Sequence, residues 1–375
     1  MIMGKSAICA VPFSAEDIPV IVNLTNFMPE YVVDFVVAPG GLGLEGKDIG
    51  AAENRGELGY TVTSNLNDSI KSCDTVLILS KDKSGHLYDY GIKAVEEAIR
   101  QRKDIICLLD LDRETMNRYK EICHEENIGF RCILEDELPR VSYRDISEPL
   151  YHPYAPVVFI GELAENVQGY EVFYNLVKLC QDKGLRVSAI GPERANGLFG
   201  FHTIDFSDMR GELGSRVYRV NKYVRNIEEQ ENPGIIIIKL PKPMMKFDED
   251  VRYDFGLSAY MVSQAVPASF FIACSPYGFF SEKFWEPMSG SFQAKFGYEI
   301  DAVHISNKMI DNTDEMDKNK LCFVHMPGRK VQEVIEEVSD ESSFILGNLT
   351  EPKYMERVVE EIENSLIHVP YGLIV

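Results

Sequence analysis

Short, nearly continuous apolar runs alternate along this chain with longer segments in which apolar residues recur every three to four positions. YVVDFVVAP, DTVLILS and DIICLLDLD are runs of the first kind. Such runs are expected of strands covered on both faces, and the helices between them would supply the crossovers of a parallel sheet. HLYDYGIKAVEEAIRQRKD lies between the last two runs and places its apolar positions on one helical face. RETMNRYKEICHEEN repeats the helical pattern and leads into the short run GFRCIL. The pattern predicts a Rossmann-like α/β domain over residues 1–145.

From Glu135 to Pro156 the periodicity stops and four prolines occur, which marks a linker. The alternation then resumes with the strand PVVFIGE, a loop, the helix YEVFYNLVKLCQDKG and the strand LRVSAIG. A long helical stretch through VYRVNKYVRNIEEQ leads to GIIIIKLP, the most strongly β-patterned segment of the chain. Further strands are predicted at ASFFIACS, EIDAVHIS and KLCFVHM, separated by helices that include FGLSAYMVSQAV and EKFWEPMSGSFQAKFG. The tail carries the helix KYMERVVEEIENSLI and ends on the apolar HVPYGLIV, expected to pack back on the body. This half predicts a P-loop NTPase-like domain with a parallel sheet over residues 156–375.

Composition narrows the function. With 375 residues, 45% hydrophobic and 26% charged, the chain has the balance of a globular protein of two domains. A formal net charge of −21, with no basic patch in the sequence, argues against nucleic acid as a partner. Lys5 precedes only a short apolar stretch that Pro12 ends, and no window holds about 18 consecutive apolar residues, so a cytoplasmic protein without membrane contact is expected. A symmetric dimer is the default for such a protein. The eight cysteines form no CxxC pair and sit mostly inside apolar runs, which favours small buried thiols over a disulfide framework or zinc ribbon.

Strand, glycine-bounded loop, helix and strand over 156–190 have the layout of a phosphate loop. A working loop needs a lysine for the β- and γ-phosphates and a Ser/Thr hydroxyl for magnesium after its last glycine. Here Gly169 is followed by Tyr170 and Glu171, and Glu162 and Glu165 add negative charge. GIIIIKLP, where a second acidic motif would fall, presents Lys239 instead. The loop is thus degenerate, either a seat for a different ligand or a plain strand-to-helix turn.

The first domain holds a glycine-rich segment, VVAPGGLGLEGKD, in which Gly41, Gly43, Gly46 and Lys47 satisfy two nucleotide-loop spacings. The glycine-rich DIGAAENRGELGYT that follows cannot open a stable helix, so a long ordered loop that offers Lys47 and Arg55 to a partner is the better reading. Cys274, His304 and His325 fall at predicted strand ends and would form a soft-ligand cluster if adjacent, but core or rim positions are favoured and no metal site is expected. No GxSxG elbow is present, and no catalytic residue or cofactor can be named.

Together GGLGLEGKDIG, GELAENVQGYEV and GLFGFHTIDF resemble the peptide maturation system proteins encoded beside radical SAM peptide maturases in clostridial-type gene clusters. The resemblance spans most of the chain. It implies an accessory role in making a ribosomally synthesised, modified peptide, with the precursor peptide or the radical SAM maturase as partner. If relatives keep a lysine after the last glycine, Tyr170 departs from them, and the departure counts against any nucleotide-dependent activity. The alternative is a ligase or transferase with a remodelled loop, in which Lys239 and Lys47 replace the missing cation. In either case the expected binding site is a crevice between the domains, at the carboxyl ends of the second-domain strands. Gly161, Asn166, Gln168 and Gly169 would line it, with His202 exchanging a proton and Lys239 and Lys242 pairing with a ligand carboxylate.

Overall fold

SAICAV, the short apolar stretch ahead of Pro12, forms a central strand that the proline after it conceals in the sequence pattern. The computed structural model describes residues 5–81, 83, 85–204, 206, 212–279, 282–311, 321–339 and 344–367. The apolar tail HVPYGLIV and most of the polar segment after Asp311 lie outside the described residues. The chain divides into two units, Met1–Glu135 with Glu193–Thr203, and Asp136–Pro192 with Ile204–Val375. The return of 193–203 to the first unit is not visible in the sequence.

In the first unit, β1 (Ser6–Val11), β2 (Tyr31–Val37), β3 (Val62–Thr63), β4 (Thr75–Ile78), β5 (Asp104–Cys107) and β6 (Phe130–Cys132) form a wholly parallel sheet in the order β3-β2-β1-β4-β5-β6. This is the doubly wound order of a Rossmann fold. β4 is buried along its whole length, as its unbroken apolar run requires. The helix His86–Arg100 buries Ala94, Val95 and Ala98 on one face. The unit's second piece carries the helix Ala195–Leu198 and the two-residue strand β9 (His202–Thr203). It is tied in by Arg194, whose guanidinium meets Asp110 at 2.7 Å and Glu135 at 2.9 Å. The Phe199 and Phe201 rings pack on Phe27, at 5.1 and 5.0 Å between centroids.

The second unit contributes β7 (Val157–Glu162), β8 (Val187–Gly191), β10 (Ile235–Lys239), β11 (Phe270–Tyr277), β12 (Ala302–Ile310), β13 (Phe323–His325) and β14 (Ile345–Gly347). Across this unit they run β13-β12-β11-β7-β10-β8, with β14 also on β12. The sheet is mixed where the sequence pattern suggests a parallel one, because β13 pairs antiparallel with β12. β7 and β10 are buried at every position, and each of the four isoleucines of β10 contributes about 1.5–3 kcal/mol by leaving water. The helix Gly169–Asp182 follows β7 and buries Val172, Phe173, Leu176, Val177 and Cys180, an i, i+4 stripe. Among the described residues no helix is long and apolar enough to cross a membrane.

Candidate functional site

Two opposite charges stand at the ends of two strands buried at every position. Glu162 closes β7 and Lys239 closes β10, and neither is tolerable alone in such surroundings. They meet: Lys239 Nζ lies 2.7 Å from Glu162 Oε2, with the lysine 1% and the glutamate 8% exposed. Lys239 Nζ also donates to the Leu240 carbonyl at 3.2 Å. The other carboxylate oxygen of Glu162 accepts from the Gly169 backbone N–H at 3.2 Å. Gly169 is the first residue of its helix, so the carboxylate sits on the positive end of the helix dipole. A phosphate would occupy such a place in a working phosphate loop.

The packing leaves this arrangement little freedom. A Cβ on Gly169 would stand 2.6 Å from Glu162 Oε1 and 2.8 Å from Lys239 Cε, so glycine is required by the ion pair itself. Tyr170 holds the position expected of the phosphate-binding lysine, and its ring lies 5.3 Å from Lys239 Nζ, a cation–π distance. Gly161 is also a packing glycine, since a Cβ there would collide with Met244 Sδ.

Polar groups continue across the sheet. Glu162, Cys274, His304 and Gly347 are partners in register on β7, β11, β12 and β14. Gln168, the left-handed N-cap of the helix with φ +63°, is 2% exposed. Its Oε1 accepts from Ser306 Oγ at 3.1 Å and from the Asn307 N–H at 2.9 Å. The backbone donor fixes that oxygen as the acceptor, which makes Nε2 a donor, and Nε2 has no hydrogen-bond partner among the described residues. His304 Nδ1 accepts from the Leu349 N–H at 3.0 Å, so its buried Nε2 carries the proton, again without a partner among them. Burial holds the imidazole neutral, its pKa brought down to about 3. Burial first, and then the Glu162 charge, push the Cys274 thiol well above its ordinary range. An activated thiolate–imidazolium pair is therefore not what this Cys–His adjacency makes.

His325 pairs with Lys308, four residues along β12 from His304, so the three candidate soft ligands do not converge. Among the described residues no group of three or more His, Cys, Asp or Glu is arranged to hold a metal ion.

The remaining sequence-predicted residues fall elsewhere. Asn166 is exposed with φ +61°, and Lys242 is exposed with φ +54° in the turn after β10. His202 is half-buried and belongs to the first unit. Gly41, Gly43, Gly46 and Lys47 are all exposed in the loop after β2. That loop is ordered by a residue the sequence reading passed over. Asp48 accepts from the backbone N–H groups of Gly50 and Leu58 on one oxygen and of Gly59 and Tyr60 on the other, at 2.8–3.0 Å. Burial raises its pKa, but these four donors outweigh it and hold the carboxyl below the usual range. Its signal in the sequence is an aspartate ahead of a glycine-rich stretch, the setting for an Asx-type turn.

No protein-family model matches the chain, and no curated protein matches it. A similar solved structure is the crystal structure of a DUF1611 family protein from Anabaena variabilis ATCC 29413. The two share 8% sequence identity with a TM-score of 0.60, over 95% of this chain and 100% of the other. The likeness is one of α/β fold.

Proposed function

We propose that this chain is a non-hydrolytic accessory protein that binds the precursor peptide, or a maturation enzyme, of a ribosomally synthesised and modified peptide. The observation that carries the non-hydrolytic part is the buried Glu162–Lys239 pair on the Gly169 N–H. A triphosphate needs those donors, and an internal carboxylate already holds them. The ligase or transferase reading loses ground for the same reason, since it requires Lys239 to face a substrate and the lysine is 1% exposed. The peptide-maturation part rests on the sequence resemblance. The loop after β2 suits a partner surface, because Asp48 braces it while Leu42 and Lys47 stay exposed.

Calorimetry with magnesium and ATP tests the first part, and the expected result is no binding tighter than about 100 μM, which corresponds to about 5–6 kcal/mol. Tighter binding with turnover would return the enzyme reading. Pull-down of the purified chain with a precursor peptide or radical SAM maturase tests the second, with association expected at micromolar concentration and weakened by Lys47→Glu. No association with either would overturn it.

A further inference from the structure

Cys107 and Cys132 occupy directly paired positions on the neighbouring parallel strands β5 and β6, and the Ile133 N–H donates to the Cys107 carbonyl at 2.9 Å. Neighbouring strands lie about 4.8 Å apart, inside the Cα separation of about 4.4–6.8 Å that a disulfide spans. β6 is the last strand of its sheet, so one member of the pair stands at an edge. Cys132 is partly exposed, whereas Cys107 is fully buried in the core of the first unit.

We propose that Cys132 and Cys107 form a reversible dithiol modification site that reacts with low-molecular-weight disulfides. Cys132 is the attacking sulfur. The hydrogen bond from the Cys107 thiol holds the Cys132 thiol below its ordinary range, with burial opposing and the charges of Arg194 and Lys120 assisting. Its thiolate attacks one sulfur of the small disulfide, forms a mixed disulfide, and expels the other half as a thiolate. That thiolate takes the proton of Cys107. Cys107 then attacks Cys132 Sγ and expels the second half, which leaves as a thiol once protonated from water. The protein dithiol is thereby oxidised to a disulfide, and one small disulfide is reduced to two thiols.

The same unit contains a second close pair, and the contrast sets the specificity. Cys9 and Cys73 are both at most 1% exposed, and the Cys73 thiol donates to the Ile70 carbonyl at 3.3 Å, so a soluble disulfide has no sulfur to reach. Cys322, the other partly exposed cysteine, belongs to the second unit and, among the described residues, has no cysteine paired with it across a strand.

The test treats the full-length native protein with oxidised glutathione, blocks the remaining thiols after denaturation and maps them by peptide mass spectrometry. The expected product is a peptide linking Cys107 to Cys132, removed by dithiothreitol, with Cys9 and Cys73 still reduced. Cys107→Ala should stop the reaction at a glutathione adduct on Cys132, and Cys132→Ala should abolish both products. Should the buried Cys107→Ala variant fail to fold, the wild-type map and Cys132→Ala decide. A wild-type map in which Cys132 stays reduced, carries only the glutathione adduct, or is linked to another cysteine overturns the proposal.

Discussion

Removing the Lys239 ammonium while the Glu162 carboxylate remains would strand one charge against the Gly169 N–H in a site with almost no solvent. Halving a buried pair in this way costs about 3–5 kcal/mol, whereas replacing both members by neutral groups of similar size is often close to neutral. Lys239→Met is therefore expected to lower stability by about that amount, and Glu162→Gln with Lys239→Met to recover most of it. A double-mutant cycle by urea denaturation measures the coupling. Single losses that simply add would show that the charges do not depend on each other. The sequence reading treats Lys239 as available to a ligand, so the stability loss separates the two views directly.

The loop from Asp48 to Tyr60 is ordered by backbone bonds such as Ile49 N–H to the Tyr60 carbonyl at 2.8 Å and by the Asp48 carboxylate, whose acceptors can be removed in steps. Asp48→Asn keeps a single carbonyl oxygen and should lose two of the four backbone bonds, while Asp48→Ala should lose all four. At about 0.5–1.5 kcal/mol net per bond, Asn is expected to cost about 1–3 kcal/mol and Ala about 2–6 kcal/mol. Tryptic cleavage after Lys47 or Arg55 should accelerate in the order wild type, Asn, Ala. Because the folded pKa of Asp48 lies below its unfolded value, its support is present at neutral pH and fades only as pH falls below about 4, through the folded pKa. Equal cleavage rates for the three proteins would mean that the loop is ordered by other contacts.

At this scale the apolar runs show plainly which segments become β4, β7, β10 and β11, since strands buried on both faces leave an unbroken signature, and β2 is legible despite its exposed Asp34. β1 is obscured by Pro12 and the polar residues that follow it, and β3 and β14 are too short to carry a pattern. The direction of β13 is decided by its partner β12, not by its own three residues. Of the site, the loss of the phosphate-binding lysine is legible at Tyr170. The Glu162–Lys239 pairing spans 77 positions and leaves only an indirect mark, a charge at the end of each of two apolar strands.

For the molecule as a whole, the contiguous piece 1–145 omits Arg194, Phe199 and Phe201, all of which belong to the first unit. Without Arg194, Glu135 loses its guanidinium partner, and among the described residues Asp110 keeps the exposed Lys83 at 2.5 Å as its cation. Phe27 loses the Phe199 and Phe201 rings. Aromatic pairs are worth about 0.5–1.5 kcal/mol each beyond area burial, and the buried arginine adds to that, so the deficit is a sizeable share of the 5–15 kcal/mol that holds a typical domain. The fragment 1–145 is therefore expected to melt well below the first transition of the full chain, by about 5–10 °C or more. Joining residues 193–203 to residue 135 through a flexible glycine-serine linker should recover most of the loss, and Arg194→Ala in that joined fragment should remove part of the gain. Circular dichroism melting of the three fragments measures this directly. If 1–145 melts as high as the joined fragment, the returning segment adds nothing to the first unit's stability, and the division of the chain into interleaved units carries no energetic weight.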